Sequence, residues 1–166
     1  MTTNTQEAAR LADKYRVVFW GEDIFPVDPV TIARNVGVEV LETELLPDVS
    51  GALIKEAGKD PIIILEATDH SNRKRFSCAH ELGHYASRVE SDDDDRQYEY
   101  VDFRDGNSTT GQDPEEVFAN NFAACLLMPE AEVRSRAKNT THAELAVFFG
   151  VSNEAMKIRL RTLRLL

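Results

Sequence analysis

Apolar residues along this 166-residue chain change their spacing several times, and each change marks an element. Residues 6–15 repeat at the helical period with a polar outer face, and Val17 to Trp20 lead into an irregular stretch containing Pro26 and Pro29. Asp28 then has the place of an N-cap with proline at the first helical position, which predicts a short helix ended by Gly37. Three β-branched or alternating runs follow, 38–43, 51–55 and 61–66, separated by Pro47-Asp48, Gly58 and Asp60-Pro61. Such runs between turn residues predict a small antiparallel sheet.

Helical spacing returns near Ser71 or Asn72 and holds to about Arg88. Residues 89–112 are a polar connection, with four consecutive aspartates at 92–95, then Tyr98, Tyr100 and Phe103, then a run from Gly106 to Gly111. Its length suits a lid or a disordered segment better than an ordinary turn. Asp113-Pro114 has the capping pattern of a new helix, which runs to about Met128 before Pro129 stops it. The last apolar run, 145–150, is followed by a turn, by Ser152 as an N-cap and by a second helix over 154–163, the cadence of a helix-turn-helix.

The size and 42% hydrophobic content suit one compact core, divided here into 1–138 and a C-terminal helix-turn-helix-like segment, 139–166, packed on it. No apolar run approaches membrane-spanning length and the N-terminus lacks a signal-like pattern, so a cytoplasmic protein is expected. Cys78 and Cys125 form no disulfide framework and read as small buried side chains; Cys78 lies about 200° around the helix from His80 and so faces away from it. The formal charge of −10 is unevenly spread. Residues 1–132 carry 12 basic and 27 acidic side chains, whereas 133–166 carry 7 basic and 2 acidic. An acidic body repels nucleic acid and a basic tail does not.

The most informative string is H-E-L-G-H at 80–84. Two histidines four apart on a helix share a face, so His80 and His84 can reach one metal ion, and Glu81 on the flank of that face can act as general base without being a ligand. Gly83 inside this helix costs about 1 kcal/mol relative to alanine, which points either to tight packing or to a strand or substrate backbone passing close. Catalytic zinc takes three protein ligands and keeps a fourth position open, and two histidines with a glutamate are a known set. The second helix offers the third ligand. Glu116 and Asn120 share one stripe of an otherwise apolar helix, and a carboxylate there needs a charged partner. Glu116 is preferred because Asn120, one turn on, can orient a ligand; Glu115 is the competitor, and His70 and His142 lack a helical partner. Tyr85, Tyr98, Tyr100 and His142 are candidates for stabilising an oxyanion.

Three blocks, NRKRFSCAHELGH at 72–84, EVFANNFAACLLMP at 116–129 and LAVFFGVSNEAMKIRLRTLRL at 145–165, resemble the ImmA/IrrE-type metallopeptidases, with looser similarity in PVDPVTIARNVGVEV and SGALIK. The resemblance implies an α+β, gluzincin-like fold: a zincin-like minimal core with the small antiparallel sheet, the HExxH helix, a second ligand-bearing helix and the C-terminal helix-turn-helix-like segment. It implies zinc, one ion per chain with manganese as the other option, on His80, His84 and Glu116, and Glu81 as base. It also implies a cytoplasmic endopeptidase that cleaves a helix-turn-helix transcriptional repressor. The long acidic 89–112 segment departs from the family pattern and bears on substrate access. An alternative function rests on the tail: Lys157, Arg159 and Arg161 make the last helix basic, which suits a regulatory module binding DNA or a repressor with little or no peptidase activity.

Overall fold

A computed structural model describes residues 3–91, 96–103 and 113–166. The elements follow one another as α1 (Asn4–Phe19), α2 (Pro29–Asn35), β1 (Glu39–Thr43), β2 (Val49–Lys55), β3 (Ile62–Glu66), α3 (Ser71–Glu90), β4 (Tyr98–Phe103), α4 (Pro114–Leu127), α5 (Glu130–Arg136), α6 (His142–Phe149) and α7 (Asn153–Thr162). The α+β class expected from the sequence is the observed one.

Local capping chemistry explains the helix starts. Asp28 accepts from the Val30 amide and Asp113 from the Glu115 amide, each with proline at the next position, as the sequence predicts. His70 caps α3 by accepting from the Asn72 amide at 3.2 Å, a role the sequence does not advertise because histidine is an uncommon cap. Helix α1 is longer than its periodic stretch: a Thr3–Gln6 capping box starts it, and it carries on through Val17 and Val18 to Phe19.

The sheet differs from the expected antiparallel one. Its order is β1-β3-β2-β4; β2 is antiparallel to β3 and to β4, but β1 runs parallel to β3, with Glu39 opposite Ile62 and Thr43 opposite Glu66. The chain after β1 crosses the end of β3 and returns as β2 on the far side. Residue alternation reports which face of a strand is buried and carries no information about its neighbour, so the mixed pairing was invisible in the sequence.

The fourth strand arises from the segment read as a polar connection. Its inward positions are Tyr98, Tyr100 and Asp102, alternating with the exposed Glu99, Val101 and Phe103. That is a period-two pattern with its polar groups on the wrong side for a core strand, which is why hydropathy misses it. The aspartate run at 92–95 and the glycine-containing stretch 104–112 lie outside the described residues; of the rest of the segment, residues 89–90 continue α3 and Tyr98–Phe103 form β4.

Helix α3 occupies the centre, packed on β2, β3 and β4 on one side and on α4 on another, while α1 packs on α4. Residues 77–84 of α3 are all buried, a helix wrapped on every side. Gly83 marks the tightest approach: a Cβ there would stand 3.0 Å from the Ala119 Cα and 3.1 Å from the Phe122 Cβ. Tight packing by α4 is thus the reason for the glycine. The core holds Leu82, Phe122, Leu126, Leu127, Leu53, Ile63 and Leu65, all at 1% exposure or less.

The C-terminal helices are tied to the rest by side chains reaching backbone carbonyls. Arg75 Nε donates to Gly150 O at 3.0 Å, Asn72 Nδ2 to Val151 O at 3.2 Å, and Arg159 Nε to Met128 O at 3.0 Å. Gly150 ends α6 in the left-handed conformation, φ 64°, and lets the chain turn into α7. Among the described residues, no helix is long and apolar enough to cross a membrane.

Candidate metal centre

Three side chains from α3 and α4 converge. His80 and His84 are each 2% exposed, their ring centroids 4.9 Å apart, and their Nε2 atoms lie 3.2 and 3.0 Å from the two carboxylate oxygens of Glu116. One potential ligand atom from each of the three falls within 4.8 Å of the others, so the group could hold a metal ion. The four-residue spacing on α3 aims both rings at the same point, and the Gly83–Ala119 approach draws α4 close enough for Glu116 to meet them. Glu115, the competitor, is directed elsewhere: it accepts from the Tyr100 hydroxyl at 3.3 Å and lies 4.0 Å from the Arg88 guanidinium.

Neighbouring groups set the orientation of the rings. Asn120 Oδ1 sits 2.9 Å from His80 Nδ1. An amide oxygen only accepts, so Nδ1 carries the hydrogen of this bond and Nε2 is left facing Glu116. The His84 ring is stacked on Tyr100, centroids 4.0 Å apart and planes 12° from parallel, and Arg88 Nε donates to the same tyrosine's hydroxyl at 2.7 Å. Tyr100 therefore packs flat against a ring of the group that could hold a metal. Tyr85 donates to Val36 O, and His142 opens α6.

Glu81 is fully buried, and among the described residues both of its oxygens lack a hydrogen-bond partner, as do the Nε2 atoms of His80 and His84, whose contacts with Glu116 have the distance but not the direction of a hydrogen bond. Unsatisfied polar atoms this deep are costly, and four of them around one carboxylate match the needs of a divalent cation and its water. Two imidazoles and one carboxylate are donors suited to zinc.

The electrostatics agree with this crowding. Burial lifts Glu81 to a pKa of about 8, helped by the carboxylates of Asp102 and Glu116 against the opposing pull of His80. Glu116 is held far below the usual carboxylate range by its contacts with the two imidazoles. Burial acts to depress both histidines. At His84 it prevails and keeps the ring below its ordinary value; at His80 Glu116, Glu81 and Asp102 outweigh it and raise the ring to about 9.

Asp102 is a member of the site that sequence reading overlooked. It reaches Ser77 Oγ at 3.5 Å and Arg73 at 3.7 Å, so a cation partly balances it on the flank of Glu81. Its one signal was the alternation of Tyr98, Tyr100 and Asp102. Of the basic residues singled out in the tail, Lys157 is partly exposed and Arg161 exposed, whereas Arg159 is buried at 7% exposure and bonded to the Met128 carbonyl, unable to reach a phosphate from there. Cys78 and Cys125 are free; burial pushes both thiols up, and neither joins the metal-capable group.

No curated protein matches the chain significantly. The family model described as the IrrE N-terminal-like domain, peptidase family M78, matches residues 33–161, a span that includes α3, α4 and nearly all of α7. With that match covering most of its length and the H-E-L-G-H helix and Glu116 inside it, the chain belongs to the IrrE N-terminal-like metallopeptidase family.

Proposed function

We propose that the protein is a zinc-dependent, site-specific endopeptidase of the cytoplasm whose substrate is a helix-turn-helix transcriptional repressor. The observation that carries the peptidase reading is the meeting of His80, His84 and Glu116 from two helices with the buried Glu81, without a hydrogen-bond partner among the described residues, beside them. The repressor as substrate is supported by the resemblance to the ImmA/IrrE enzymes.

His80 and His84 would hold the ion through Nε2 and Glu116 through a carboxylate oxygen. A zinc ion so held supplies Lewis-acid chemistry, polarising the scissile carbonyl and acidifying a water. Glu81, buried beside the two histidines and adjacent to His80, would take the proton of the attacking water and return it to the leaving amine. Asn120 and Tyr100 keep the two rings aimed, so little reorganisation is needed as charge develops.

Zinc analysis and co-expression with a repressor encoded alongside test this directly. About one zinc per chain, lost in His80→Ala and His84→Ala, and repressor fragments that vanish in Glu81→Gln while zinc remains are the expected results. A folded wild type that takes up no divalent metal would refute the site. One observation favours a second reading, binding of DNA by the C-terminal helices: Lys157 and Arg161 are accessible on α7. Salt-dependent retention on duplex DNA, unchanged by Glu81→Gln, distinguishes it.

A further inference from the structure

A cavity of about 780 Å³ lies beside the metal centre, walled by α3, α4 and α7. On α3 it is lined by Arg73 and Phe76, which sit on the same face as His80 and His84, about two turns and one turn before His80. On α4 it is lined by Asn120 and Ala124, which continue the stripe that begins with Glu116. Asn120 belongs to both places: it lines the cavity, and its amide oxygen touches His80. The third wall is Val151 in the turn before α7 together with Ala155 and Ile158 on α7 itself. Ile158 is 54% exposed, a large apolar side chain that the protein's own core leaves uncovered.

We infer that this cavity is a specificity subsite of the peptidase, in which α7 and Phe76 receive a large apolar side chain of the polypeptide substrate. The inference rests on the peptidase reading and adds a role for the C-terminal helices, which become a wall of the cleft. Three features point to a peptide as occupant. The cavity meets the metal centre at Asn120, which lines the one and touches His80 in the other; it has the volume of a ligand site, between about 300 and 1,000 Å³; and the apolar side chains of Phe76, Ala155 and Ile158 line it among polar ones that include Arg73, Glu154 and Arg159. Phe76 is about 6 Å along the helix from His80 and Arg73 about 10 Å. An extended chain rises about 3.3 Å per residue, so the side chain that enters belongs to a residue within about three positions of the cut.

Peptide mixtures digested by the zinc-loaded wild type and by Ile158→Asp measure this. The wild type is expected to favour leucine, methionine or phenylalanine over alanine at one of those three positions. In Ile158→Asp that preference in kcat/KM falls by about tenfold or more at equal zinc content. A wild type without such a preference, or a preference undiminished in Ile158→Asp, overturns the inference, as does loss of duplex DNA retention in the variant with the preference intact. A zinc-loaded wild type that cuts nothing defeats the peptidase reading instead, and the cavity is then judged by NMR titration with N-acetyl-leucinamide. Shifts at the Asn120 and Asn121 amides and the Ile158 methyls, absent with N-acetyl-glycinamide, uphold an apolar acceptor site, and their absence overturns it.

Discussion

Replacing Gly83 by alanine tests how the centre is held together, because it touches none of the proposed ligands and adds one methyl where the two helices that carry them meet. That methyl would stand 3.0 Å from the Ala119 Cα, 3.2 Å from the Ala119 carbonyl oxygen and 3.1 Å from the Phe122 Cβ. Two of those neighbours are backbone, so relief comes from moving α4 away from α3. Overpacking of this kind costs about 1–3 kcal/mol, and backbone neighbours place it near the top of that range. Alanine returns about 1 kcal/mol through its better helix propensity. The net loss is therefore about 2 kcal/mol, which in a chain of this size lowers Tm by about 4–8 °C. Moving α4 also carries Glu116 from His80 and His84, now at 3.2 and 3.0 Å, so zinc affinity should fall in the same variant. Thermal unfolding of chelator-treated protein and zinc titration against a competing chelator read the two effects separately. A Gly83→Ala protein as stable as the wild type, with undiminished zinc affinity, would refute the claim that this contact sets the ligand geometry.

Asn120→Ala frees the Nδ1 of His80 and should weaken zinc binding by about 10–100-fold with the fold intact, as followed by metal titration and circular dichroism. Glu81→Gln should retain zinc and lose peptide cleavage, and cleavage at the wild-type rate would remove Glu81 from the role of base. Adding zinc to chelated protein at 100 times its dissociation constant should raise stability by about 2.7 kcal/mol, seen as a higher Tm that His84→Ala abolishes. Arg159→Ala leaves the Met128 carbonyl without its charged donor and should cost about 2 kcal/mol in denaturant unfolding, whereas Lys157→Ala and Arg161→Ala should stay within about 0.5 kcal/mol of wild type.

Much of this protein could be read from residues close together along the chain. The capped starts of α2 and α4 and the shared face of His80 and His84 depend on backbone geometry over one or two turns, which is the same in any surroundings. Glu116 could be preferred from its companion Asn120, and the two are in fact one unit around His80. Tertiary structure alone decided the rest. The parallel pairing of β1 with β3, the strand made from Tyr98 to Phe103, the stacking of Tyr100 on His84, the approach of Asp102 to Glu81's flank and the burial of Arg159 all join residues from separate elements. Helical and strand periodicity specify which way a side chain faces; what it meets there depends on how the elements are stacked, and that follows from burying the whole apolar surface at once.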